Sequence, residues 1–198
     1  MTATSKPEAT APEPAEFRAA IGSLLSAHPR PEIVLEEVPA PRRLAPHAHA
    51  LTADLEIDDA ELATGRLVLL HDPAGHDAWN GTFRVVTYVR AELEPEVGAD
   101  PMVLEVAWTW LTDALSGHGA EYTAISGTAT RVASQSFGVM ADQPSTAHIE
   151  VRASWTPLTT ELSSHLLAWT EALSMAAGVP PLPDGVTALS RRRSQSGP

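Results

Sequence analysis

Two strand-like runs joined by a turn-rich stretch of twelve residues limit the fold of this chain more than any other feature. Residues 66 to 70 ("RLVLL") and 83 to 91 ("FRVVTYVRA") are apolar and rich in β-branched side chains, and between them lies "HDPAGHDAWNGT". Its Asp-Pro, Ala-Gly and Asn-Gly steps are those that reverse a chain, so the runs are expected to pair as an antiparallel hairpin at the centre of a sheet. In the second run Phe83, Val85, Thr87, Val89 and Ala91 fall on one face. Arg84, Val86, Tyr88, Arg90, Glu92 and Glu94 fall on the other, which is the wetter.

The flanking segments supply the rest of an α+β fold. "PAEFRAAIGSLLSAHP" predicts a first helix, with Phe17, Ile21, Leu24 and His28 on one side before Pro29 stops it. "EIVLEEV", bounded by Pro31 and Pro39, reads as an edge strand, and "PAPRRLAP" (39 to 46) as a connector. In "ADPMVLEVAWTWLTDALSGHG" Asp100 reads as the N-cap and Gly117 as the stop, with Leu104, Trp108, Leu111 and Leu115 in a stripe. "EYTAISGTATRVASQSFG" and "TAHIEVRASWTP" read as two strands that pair with each other across a turn-rich "GVMADQPS". A last helix lies in "LTTELSSHLLAWTEALSMAAG", opened by a threonine cap. The order is therefore α, several β strands, α, ββ, α, without the βαβ alternation of a parallel sheet. It predicts a mainly antiparallel sheet near 48–57, 65–71, 82–94, 120–134 and 147–156, packed with two to three helices at 14–28, 101–116 and 159–177. Trp108, Leu111, Trp169 and Leu173 are expected in the core. At 198 residues one domain is expected, spanning 14–184, with a disordered tail at 1–13 and a disordered basic tail at 185–198 that carries Arg191, Arg192 and Arg193.

Charge and composition narrow the function. The formal net charge is −12, and the body carries nine arginines against 23 acids. An acidic body repels phosphate backbones, so no direct nucleic-acid binding is expected. No apolar run reaches the roughly 20 residues that span a bilayer, so no membrane partner is expected. The N-terminal stretch has one lysine and no apolar secretory core, which places the expected location in the cytoplasm. With no cysteine, disulfides, thiolate zinc sites and cysteine nucleophiles are excluded.

His71-Asp72 and His76-Asp77 are the most conspicuous polar pairs, and both residue types bind metals. A catalytic zinc needs three protein ligands with oriented partners, and neither HExxH nor another ligand set accompanies the pairs. The loop reads as a polar hairpin tip, with no metal and no cofactor. Trp79 within it reads as a cover for the sheet end or as a contact surface. His71, Asp72, His76, Asp77 and Trp79 are thus the binding candidates. His47 and His49 alternate and read as a half-exposed pair, and His165 as a hydrogen-bonded core or boundary residue. Glu92, Glu94 and Glu96 share one side if the strand runs that far, and read as a solvated edge. "SGT" at 126 to 128 is the nearest approach to a serine elbow and fits no nucleophile motif.

"RPEIVLEEVPAPRRLAP", "ELATGRLVLLHDPAGHDAWNGTFRVVTYVRAELEPE", "HGAEYTAISGTATRV", "ADQPSTAHIEVRASWTP" and "AAGVPPLP" together resemble the actinobacterial family known as domain of unknown function 3000. The resemblance covers nearly all of the body. It implies an intracellular protein of high-GC Gram-positive bacteria, in keeping with twelve arginines to one lysine, and brings no catalytic residue. The expected role is a non-enzymatic protein-binding or accessory module that engages a protein partner or a second copy of itself. The alternative is an enzyme with an unrecognised site, metal-dependent around the 71–81 loop.

Overall fold

Alternation of buried and exposed positions builds a six-stranded antiparallel sheet in the order β1-β2-β3-β4-β6-β5. The computed structural model describes residues 13–181. Its strands are β1 (Ile33–Val38), β2 (His47–Ile57), β3 (Ala60–His76), β4 (Gly81–Leu93), β5 (Tyr122–Ser134) and β6 (Thr146–Pro157). The helices are α1 (Ala15–Leu25), α2 (Pro95–Ala99), α3 (Val103–Gly117) and α4 (Ser163–Ala176). The antiparallel α+β reading therefore holds, β3 and β4 lie at the centre, and β5 pairs with β6. The expected tails lie outside the described residues except for Glu13.

One face of the sheet is covered and the other is largely open. Leu51, Leu55, Leu67, Leu69, Val85, Val89, Ile149, Val151 and Trp155 point to the covered side and pack with the helices into one core. α4 lies over β3 and β4 between α1 and α3, and buries Leu166, Trp169 and Leu173 completely. The open side has a smaller cluster of Ala50, Val68 and Leu70, against which Trp79 and the connector residues Ala40 and Ala45 pack. β2 and β3 meet through Asp58 and Asp59, both at positive φ (51° and 65°). This left-handed pair matches the right-handed twist of the strands on either side.

Several local expectations change. β4 ends at Leu93, because Glu94 and Pro95 open α2, a helix the sequence did not suggest; the three glutamates do not form one strand side. α3 starts at Val103 with Met102 at its cap, and Asp100 instead accepts from the Met102 N–H at 2.8 Å, one turn earlier. Leu104 is exposed and Trp108 is only half buried, since α3 covers the last strands of the sheet without a further layer above it. α4 has no threonine cap. Thr159 accepts from Glu161, and the first amides of the helix turn to α1.

Candidate functional site

The 71–81 segment is a hairpin whose regular pairing reaches His71, inside the strand expected near 65–71 and one residue past the run 66–70. His71 pairs with Phe83, the register then slips, and His76 pairs with Gly81. The reversal itself is the short 3-10 turn Asp77–Trp79, closed by Asn80 at φ 55°. A left-handed residue is what the chain needs there, and asparagine tolerates it better than most.

The longer pairing separates the two histidines. His71 continues the inward alternation of Leu67 and Leu69, so it lies in the core with 0% exposure and not at the tip. Its ring stacks on Phe83 at 4.2 Å and on Phe17 at 5.7 Å. Its Nδ1 lies 3.1 Å from the Thr82 carbonyl oxygen, which can only accept, so Nδ1 carries the proton. Glu16 Oε1 stands 3.1 Å from Nε2 without forming a hydrogen bond, leaving that buried nitrogen without a partner. His76 is exposed, stacks on Trp79 at 5.0 Å, and its Nδ1 accepts from the Ala78 N–H at 3.3 Å. Asp72 accepts from the Ala74 N–H at 3.0 Å, and Asp77 is exposed at the head of the turn. Trp79 is half buried, and its carbonyl accepts from the Thr156 hydroxyl, tying the tip to β6.

The five candidates therefore do not converge. Among the described residues no group of three or more His, Cys, Asp or Glu side chains is placed to hold a metal ion. His47 and His49 are partly buried, and His49, its side chain only 15% exposed, faces Glu37 at 3.6 Å. His165 is buried and accepts at Nδ1 from the Trp155 indole N–H at 3.0 Å; burial pushes its pKa down to about 4.

A different surface stands out on geometry. β5 forms one edge of the sheet, thirteen residues long, and among the described residues no strand pairs with its outer side. From Ser126 to Ser134 only Ala129 is even half buried, and Arg131 is the sole charge. The connection to β6 then exposes Phe137 (75%), Val139 (105%) and Met140 (50%). The opposite edge, β1, is six residues long and carries Glu36 and Glu37. Sequence reading placed Phe137 at the end of a strand segment and passed over Val139 and Met140 as part of a turn. The signal was present in ten consecutive uncharged residues, 132 to 141, with apolar side chains inside a glycine-containing reversal.

A family model described as "Protein of unknown function (DUF3000)" matches residues 13–187. No curated protein and no solved structure matches the chain.

Proposed function

Because this chain belongs to the DUF3000 family, whose description names no activity, we propose a role from the surface its fold leaves unfinished: a non-enzymatic protein-binding module that pairs the β5 edge with an extended segment of another polypeptide. The open edge carries the reading. An unpaired strand presents a row of backbone N–H and C=O groups, and proteins that do not use such a row normally shorten it or charge it. β1 has both devices, whereas β5 is thirteen residues long and carries a single charge, Arg131. Strand addition takes its affinity from the main chain and its selectivity from neighbouring side chains, here Val132, Phe137, Val139 and Met140. The acidic body turns the choice of partner toward a neutral or basic segment. The alternative, a metal-dependent enzyme around the 71–81 loop, would need His71 and His76 to reach one ion, and they lie in core and solvent respectively.

The test compares tagged full-length wild type, Val132→Lys/Val139→Lys and Trp79→Ala as baits, with captured proteins purified and rebound one to one. A partner that binds wild type and Trp79→Ala but not the lysine pair supports the edge. A partner kept by the lysine pair and lost with Trp79→Ala moves the contact to the hairpin tip and overturns it. So does a chain that stays monomeric and captures nothing the lysine pair releases.

A further inference from the structure

The open face of the sheet holds a groove of about 770 Å³ that β3, β4, β6 and β5 line together. Two cross-strand rows form its floor. The register sets Arg66, Tyr88, Arg152 and Thr128 side by side in one row, and Val68, Val86, Ser154 and Ser126 in the next. Among the described residues no carboxylate lines the groove, although the chain as a whole has a formal charge of −12. Glu150, one row away, accepts from Arg152 at 2.8 Å and bonds to Tyr88. Arg152 also stands 5.2 Å above the Tyr88 ring, and its remaining donors face solvent. Arg66 gives one donor to the Pro39 carbonyl at 2.9 Å.

Arg84 closes one end of this surface from below. It is 7% exposed, and all its partners are neutral. Nη1 donates to the Ala124 carbonyl at 2.8 Å and to the Thr156 hydroxyl at 3.2 Å. Nη2 donates to Ser154 Oγ at 2.7 Å, to the Ser154 carbonyl at 3.2 Å and to Ser126 Oγ at 3.3 Å. Among the described residues no carboxylate pairs with it. A guanidinium withdrawn from water without a counter-charge is costly to keep. Its field also acts on the two serines. Their oxygens accept from the cation, which leaves their hydrogens free to donate to a group in the groove and strengthens them as donors.

We propose that this groove binds a small organic anion, its head between Arg152 and the hydroxyls of Ser126 and Ser154, its apolar body over Val86 and Val68. The head is a carboxylate or a phosphate-type group, because the donors are hydroxyls and a guanidinium fork, which suit oxyanions. The body is apolar, because the row that continues from the two serines is valine on valine. The bound anion supplies the counter-charge that the buried Arg84 lacks, and it lies on the open face, which Ser126 and Thr128 of β5 help to line, and not along the unpaired outer edge of that strand.

Octanoate, octanol and inorganic phosphate serve as probes, titrated into the full-length chain with backbone amide shifts as the readout. Octanoate is expected to bind saturably, with shifts centred on Val86, Ser126 and Ser154, at least tenfold tighter than octanol or phosphate. Arg152→Gln, a surface change, should weaken octanoate at least tenfold at an unchanged melting temperature. Ser126→Ala, which keeps every charge, should weaken it by a smaller factor. Equal affinity for octanol and octanoate would show that charge takes no part, and equal affinity for phosphate that the body takes none; either overturns the proposal. So do absent binding, shifts elsewhere on the molecule, and octanoate affinity that survives Arg152→Gln.

Discussion

Trp155 and His165 meet inside the core, and the direction of their hydrogen bond sets how acid acts on the fold. The indole N–H can only donate, so Nδ1 of His165 must be unprotonated to accept it at 3.0 Å. Burial alone pushes the imidazole pKa down from 6.5 to about 4. Above pH 6.5 the ring is neutral in both the folded and the unfolded chain. As pH falls from 6.5 toward 4, only the unfolded chain takes up the proton, so stability is lost across that window and fully lost below it. The expected loss is about 2 kcal/mol between pH 7 and pH 5 from this one group. Urea midpoints at pH 7, 6 and 5 measure it. His165→Gln, which keeps an acceptor, should flatten the trend, and an unchanged slope would assign it to other groups. The role of His165 was legible because an isolated histidine on an apolar helix side has few alternatives. His71 was not. It shares its His-Asp step with His76, and only the extra strand pair before the register slip turns one ring inward and leaves the other in water.

α4 borrows its cap from α1. Ser23 Oγ accepts from the Leu162 N–H at 2.7 Å and from the Ser163 N–H at 3.3 Å, and donates to Glu161 at 3.1 Å. Two of the amides that every helix start leaves unpaired are thus satisfied from another element 139 and 140 residues away in sequence. Ser23→Ala is expected to cost about 1 kcal/mol, the usual value for a lost cap, although Ser23 lies outside the helix it caps. Urea unfolding measures the loss, and a change within error would mean that water replaces the hydroxyl. Hydrophobic periodicity made α4 readable and placed its apolar side, but no local pattern announces a cap supplied by a distant helix. The same limit applied to "SGT". Gly127 is there because a Cβ would stand 2.5 Å from the Trp108 ring and 2.4 Å from the Arg152 carbonyl, so the residue lets α3 close on β5. It is a packing glycine and not part of a nucleophile turn.

The two sheet edges and two sheet faces give the molecule an unequal protection pattern that hydrogen exchange can read. The order of elements, the central hairpin and the pairing of β5 with β6 were legible in alternation and turn residues. Which edge stays open depends on the crossover that places β6 beside β4, and no local stretch encodes that. β3, β4 and β6 have neighbours on both sides and are covered by α4, α3 and α1. Their amides are expected to exchange only through global unfolding. β5 has one neighbour, so roughly half its N–H groups point away from β6 and should exchange within seconds in dilute protein. Peptides covering 122–134 and 83–91 report the two classes in one experiment. Adding a partner segment, or raising the concentration if a second copy is the partner, should turn the fast half of β5 slow, because strand addition fills the outer row, while 83–91, which exchanges only through global unfolding, slows by no more than the factor that binding adds to stability. Val132→Lys/Val139→Lys should keep the fast half fast under the same conditions. Slow exchange of every β5 amide at all dilutions would contradict an open edge, and slowing of 83–91 while the fast half of β5 stays fast would mean that the partner binds elsewhere.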